Sequence, residues 1–303
     1  MAGGGGVVHY VGRVDDAPIV DPWELAGAQT GLTRRTLIDA SVGAVHTQLD
    51  IHALAPGGDV RSHCHSFEAA HWVLDGEPAV LLDGRAMRLR PGDYVAVPVG
   101  MPVAWANPGG DPATWLTVST PIRLGPDAPR RDTFLQPHRD WDAAAAPALP
   151  GGPTARLVGH YEGTPPQMEA LKLKDRPRGR PTAGRDTALV VYSGISVKMM
   201  VDATLGASLL TMFTVDYEPG GSAQIHDHPF EEAYLFMEGE IEGEFEGQSY
   251  TFRRGDVAWA GVGATHGFFN DGSTHVRWLE TQAPQPPVRH SYRWYDDWKK
   301  LEG

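Results

Sequence analysis

A chain that is written twice folds twice, and this one is written twice. Shifted by 163 positions, the distance from His63 to His226, Thr30–Pro121 falls on Ser193–Pro284 without a gap. APGGDVRSHCHSFEAAHWVLDGE lies over EPGGSAQIHDHPFEEAYLFMEGE, and WLTVSTP over WLETQAP. Glycines keep the register, as do the His-x-His pair, Asn107 with Asn270, and Trp115 with Trp278. Chance does not hold a register over about ninety residues, so the chain carries an internal duplication.

Each copy reads as strands. LLTMFTVDY alternates apolar and polar positions, then Pro219-Gly220-Gly221 makes a turn. Short strands follow, broken at Gly239, Gly243 and Gly247. Asp83-Gly84 and Glu246-Gly247 stand where hairpin turns are needed, because glycine accepts positive φ there. The fold class expected is all-β, with two tandem barrels and little helix. The boundaries expected are 1–125 for the N-terminal barrel with its arm, 126–185 for a linker, and 186–303 for the C-terminal barrel with its tail. Within the linker, RDTFLQP and TARLVGHY are expected to pack on the barrels, and DRPRGRPTAGRD to be mobile. RHSYRWYDDW is aromatic enough to dock on a surface.

A net charge of −12 argues against a phosphate-backbone partner and gives no basic face for an anionic membrane. The start lacks the apolar run of a secretory signal, and no segment has the roughly 18 apolar residues of a membrane span. The one cysteine, Cys64, forms no internal disulfide. A cytoplasmic protein is the default expectation. Its expected partner is a small-molecule substrate, with dioxygen as a co-substrate and a homodimer left open as the assembly.

The C-terminal copy resembles the cupin superfamily, and the whole chain its two-barrel members, the bicupins. The first motif of that family is complete here as Gly220, His226, His228, Glu232 and Gly239. The second is met by Gly255, Gly263, His266 and Asn270, with Gly261 in place of a proline. The resemblance implies jelly-roll-like barrels and one divalent metal held by three histidines and a glutamate. Strand geometry agrees. Alternate residues share a face, so His226 and His228 point one way and Asp227 the other. A turn at Pro229 brings Glu232 to the same interior, and His266 arrives from a third strand. Three imidazoles and a carboxylate suit Fe(II) first, then Mn(II), then Zn(II), Ni(II) or Cu(II); calcium and magnesium prefer all-oxygen shells. Four ligands on an octahedral ion leave two positions open, which favours catalysis.

The N-terminal copy is an internal control. It keeps His63 and His65, but has Ala69 at the glutamate position and Val103 at the third histidine position. It is expected to hold no metal, with Glu68 and Cys64 facing away from the site. In the C-terminal copy, alternation groups Gln224, Tyr234, Phe236 and Phe268 on the metal face. Tyr234 and Gln224 are the candidate substrate-contacting residues, and Tyr234, Phe236, Trp259 and Phe268 the candidate aromatic wall. Trp278 reads as core, Glu280 and Lys198 as solvated strand positions, and His9, His160 and His290 as surface histidines.

The favoured activity is a non-haem iron oxygenase acting on a small planar or carbonyl-containing molecule. The alternative is a non-redox Mn or Zn enzyme: a hydrolase like ureidoglycine aminohydrolase, an isomerase or a decarboxylase. A binding protein without activity comes last, because such bicupins typically lose their ligands.

Overall fold

The computed structural model describes residues 8–137, 140–149, 157–172, 192–203, 206–285 and 293–294. The N-terminal copy opens with Gln29–Ile38 and runs through Gln48–His65, Glu68–Asp75, Ala79–Leu82, Arg85–Arg88, Asp93–Val97, Val103–Ala106 and Ala113–Thr120. The C-terminal copy repeats the series as Tyr192–Val201, Thr211–Asp227, Glu231–Glu238, Glu240–Phe245, Gln248–Arg253, Asp256–Ala260, His266–Phe269 and Val276–Ala283. Each copy forms one curled sheet with the same strand order, the long strand lying between the last strand and the short Val103–Ala106 or His266–Phe269. The α-helix among the described residues, Pro165–Leu171, lies between the copies.

The matched glycines and asparagines have structural work. Asp83 and Gly84 have φ of 47° and 78°, and Glu246 and Gly247 have 50° and 74°. Positive φ at both central residues is what a type I′ hairpin requires, so both expected turns form. Asn107 Nδ2 donates to the carbonyls of Leu54 and Asp111, and Asn270 Nδ2 to those of Glu218 and Thr274. These amides tie the same loop in each barrel.

Three cores follow from strand alternation. One fills the N-terminal barrel, with Val73, Val95, Val103, Trp105 and Trp115 among its members. Another fills the C-terminal barrel and is more aromatic: Tyr217, Tyr234, Phe236, Phe245, Phe252, Phe268 and Trp278. The third lies between the barrels and draws on both, with Leu49, Trp72, Tyr94 and Leu116 against Met212, Leu235, Trp259 and Leu279.

The expected domain boundaries need one correction. The arm His9–Arg13 does not join the barrel that follows it; it pairs antiparallel with Asp256–Ala260 of the C-terminal sheet. Val158–His160, from the segment read as linker, pairs in return with Asp93–Val97 of the N-terminal sheet. The arms are crossed. Each covers an edge strand whose backbone groups are otherwise unpaired. Thr133–Leu135 also packs as expected, against Cys64 and its neighbours, and Arg293–Trp294 pairs with His226 and Asp227. DRPRGRPTAGRD and His290 lie outside the described residues.

His9 and His160 are not simple surface histidines, because the crossed arms carry them onto the barrels. His9 Nε2 is 2.8 Å from Tyr250 Oη, and His160 Nδ1 is 2.6 Å from Asp93 Oδ1. Lys198 is half-buried.

Candidate metal centre

His226 lies near the end of Thr211–Asp227 and pairs across the sheet with His266, the first residue of His266–Phe269. His228 follows in the turn, and Glu232 is the second residue of the next strand. All four are buried, from 0% exposed for His266 to 4% for His226. The three imidazoles bring one nitrogen each to within 4.8 Å of one another.

The orientation of the rings is fixed from behind. Nδ1 of His226 donates to the Gln224 carbonyl at 2.7 Å, that of His228 to Phe230 at 2.8 Å, and that of His266 to Ala264 at 3.0 Å. A carbonyl only accepts, so each Nδ1 carries the hydrogen and each neutral ring keeps its Nε2 lone pair. Backbone carbonyls behind metal-binding imidazoles have this role. Burial, with help from His266, lowers the pKa of His226 to about 3, so that ring is neutral at pH 7.

Glu232 lies against two of the rings. Its Oε2 is 2.9 Å from His228 Nε2 and 3.1 Å from His266 Nε2. Gln282 Nε2 donates to Oε1 at 2.6 Å, and the Tyr234 hydroxyl donates to Oε2. Burial alone raises the pKa of this carboxyl, but the facing imidazoles, His228 first, outweigh it and hold it well below the usual range. Against the lowering effect of burial, the Glu232 charge in turn raises the pKa of His228, so the proton favoured on that Nε2 is the one a metal would displace. Three clustered imidazole nitrogens, with the Glu232 carboxylate against those of His228 and His266, are a buried donor set that fits a divalent transition ion.

The surroundings are aromatic. Phe230 stacks on His228 with centroids 3.9 Å apart, and Phe245 on His266 at 5.6 Å. Tyr234, Phe236, Phe268 and Trp278 are all buried in the same interior. Trp259 is not part of this wall. Val257 and Trp259 alternate outward into the core between the barrels, while Ala258 and Ala260 face inward. Gln224 also departs from simple alternation, because the register shifts between Ala223 and His226. Its side chain is half-buried and reaches Ser222 Oγ at 3.4 Å; its contribution to the site is the carbonyl behind His226.

Glu280 is a further correction. It is 9% exposed, not solvated, and accepts from the Trp278 indole at 3.0 Å. Burial, then the negative charge of Glu232, push its pKa well above the usual carboxylate range. Sequence reasoning passed over Gln282 altogether. Its position two residues beyond Glu280 on one strand was the signal.

The N-terminal barrel has a different interior. Ala69 and Val103 are buried where Glu232 and His266 stand in the other copy. His52 and His71, which replace Val215 and Tyr234 under the repeat, point inward with His63 and His65 and share the Thr117 hydroxyl at 2.9 and 3.0 Å. They line a cavity of about 40 Å³. Burial depresses the pKa of all four histidines, that of His71 to about 3. Among the described residues, the group of ligand atoms close enough to hold a metal is the C-terminal one.

The comparisons with known proteins follow the repeat. The cupin domain family matches twice, over residues 51–119 and 213–281. TcmJ, a tetracenomycin polyketide synthase protein of Streptomyces glaucescens, is 32% identical over 125 residues, covering 41% of this chain and 81% of that protein. This chain is a bicupin of the cupin superfamily. Solved structures agree at the level of fold. Oxalate decarboxylase of Lactobacillus farciminis, as its formate complex, aligns over 96% of the bicupin and 90% of its own chain, with a TM-score of 0.62 at 16% identity. Salicylate 1,2-dioxygenase of Pseudaminobacter salicylatoxidans aligns over 82% and 75%, with a TM-score of 0.62 at 15% identity. The second half of the bicupin therefore carries the histidine cluster on a scaffold shared by a decarboxylase and a dioxygenase.

Proposed function

We propose that this bicupin is a metal-dependent oxygenase, with Fe(II) held by His226, His228, Glu232 and His266. Its substrate is a small planar or carbonyl-containing molecule. The observation that carries the reading is the donor set itself: three Nε2 lone pairs and a carboxylate, each braced from behind, inside an aromatic interior. A bound ferrous ion supplies one-electron chemistry towards dioxygen. The protein's part is to exclude water, through Phe230, Phe245 and Phe268, and to fix the ligands. Gln282 and Tyr234 hold the Glu232 carboxylate by hydrogen bonds, which leaves its orientation little freedom. Tyr234, buried and adjacent to Glu232, is the side chain best placed to meet a substrate.

A second reading is a non-redox Mn or Zn enzyme, such as a decarboxylase or hydrolase. It is favoured by Glu280, a carboxyl buried in the same interior and able to exchange a proton. The fold does not separate the two, since a decarboxylase and a dioxygenase match it equally well.

The deciding experiment is turnover with and without oxygen. A panel of small hydroxy-aromatic and keto acids is incubated with iron-loaded protein while dissolved oxygen is followed. Oxygen uptake that tracks product, and no product under anaerobiosis, supports the oxygenase. Undiminished anaerobic turnover, with manganese or zinc restoring activity to stripped protein, gives the second reading instead.

A further inference from the structure

We propose that Glu231 is a positioning residue for the metal centre, and that it is held in place by the barrel that lacks a metal. The inference rests on the metal reading above. Neighbouring residues on a strand point to opposite faces. With Glu232 turned into the C-terminal barrel, Glu231 is turned towards the N-terminal one. There its carboxylate accepts three successive backbone N–H groups, from Val45 at 2.8 Å, His46 at 3.1 Å and Thr47 at 2.9 Å. The indole Nε1 of Trp259 adds another donor at 3.3 Å. Successive amides converging on a carboxylate form an anion cradle, and hydrogen bonds to an ionised acceptor are the strong kind. Glu231 is 2% exposed, so water does not compete for these donors.

What the cradle fixes is the turn that carries His228 and Glu232. From His228 the chain passes through Pro229 and Phe230 directly to Glu231. The turn is braced within its own barrel by His228 Nδ1 on the Phe230 carbonyl and by the Gly263 N–H on the His228 carbonyl at 3.0 Å. Glu231 then anchors its far end to a different barrel, one residue before the carboxylate ligand.

The duplication supplies a control inside the same molecule. Glu68, the counterpart of Glu231, accepts the N–H groups of Ser208, Leu209 and Leu210 at 2.8, 3.0 and 3.1 Å. Those residues are the counterparts of Val45, His46 and Thr47 under the same shift. The clasp is reciprocal, but the residue after Glu68 is Ala69, which offers no ligand atom. One cradle backs a metal ligand and its twin backs none.

Glu231→Gln and Glu68→Gln therefore remove the same charge from cradles built on equivalent backbone amides, in the full chain, the Trp259 indole being the one donor that Glu68 lacks. Co(II) affinity is measured by chelator competition, the visible spectrum of the Co(II) form is recorded, and the metal-free proteins are melted. Both variants should lose similar thermal stability. Only Glu231→Gln should lose Co(II) affinity, by about tenfold or more, as partners of metal ligands do, and only it should shift the Co(II) spectrum. Wild-type affinity and spectrum in Glu231→Gln, or equal affinity losses in both variants, overturns the inference. A wild-type chain that binds no Co(II) overturns the metal reading beneath it, a separate result. Should Glu231→Gln fail to fold, Trp259→Phe removes one donor and keeps most of the ring packing. A smaller affinity loss in the same direction then supports the inference, and an unchanged affinity overturns it.

Discussion

Ala69 and Val103 are small apolar residues at the two places where the other copy has Glu232 and His266, and they leave the N-terminal barrel with a different set of nitrogens. Purified protein should accordingly contain about one transition-metal ion per chain. Alanine at His226, His228, Glu232 or His266 should weaken metal retention by more than the roughly 10–100-fold that outer partners command. His63→Ala should leave metal content intact, and metal analysis of the purified variants checks each case. The buried histidines of the N-terminal barrel make a different forecast. In the unfolded chain a histidine takes up its proton near pH 6.5, whereas His71 in the folded chain does so only at about 3. Its contribution to stability is complete above pH 6.5 and is lost as pH falls from there towards 3. At pH 5 that loss amounts to about 2 kcal/mol for this residue. Unfolding free energies at pH 7 and pH 5 should therefore converge in His71→Gln by about that amount; an unaltered difference would mean the ring is not buried neutral. The spacing of the four candidate ligands was readable because alternation and the His-x-His pattern encode a shared face. Glu280 and Trp259 were misread for the same reason in reverse. A strand's polar or outward positions look alike whether they meet water, a second barrel or a closed interior.

The Asp83-Gly84 and Glu246-Gly247 hairpins were legible because glycine and alternation are local signals, but Pro219-Gly220-Gly221 and Gly243, expected as a turn and a break, lie inside the strands Thr211–Asp227 and Glu240–Phe245. Close backbone approach is equally local in effect. A Cβ on Gly221 would lie 2.8 Å from the Gly194 carbonyl oxygen and 2.9 Å from that of Glu218. Neither backbone atom yields easily, so Gly221→Ala should cost about 1–3 kcal/mol by denaturant unfolding. Gly110→Ala, where the added carbon meets nothing within 4 Å, should be near neutral. The crossed arms were not legible, since a strand's sequence does not name its partner. Their consequence is a counter-intuitive truncation result. Removing the first 13 residues should loosen the distant C-terminal barrel, and hydrogen exchange should rise first in Asp256–Ala260, the strand that the arm covers. Faster exchange confined to the N-terminal barrel would contradict the crossed pairing.

Besides the core inside each barrel, the two share a third between them, so each has an apolar outer face that only the other covers. Leu49, Trp72 and Leu116 meet Met212, Leu235 and Leu279 there, and splitting the chain would expose both faces. The fragment 186–303 should aggregate or remain unfolded when expressed alone, and the intact chain should unfold in one cooperative step by calorimetry. Two separated transitions would show that the barrels are independent. That the duplication makes two barrels was plain from the repeat; that they fuse into one unit was not, because a covered face and a wetted one are written alike. The crossed arms also set an order of manufacture. Arg13 and Asp256 form an ion pair across 243 positions of sequence, so the arm leaves the ribosome long before its strand exists. At about 5–20 residues per second, the arm waits roughly 10–50 seconds, while Val158–His160 meets a finished partner at once. The barrel with the candidate metal centre is thus the last to close, and the N-terminal barrel, complete with its Val45–Thr47 loop, is already standing when the candidate ligands arrive.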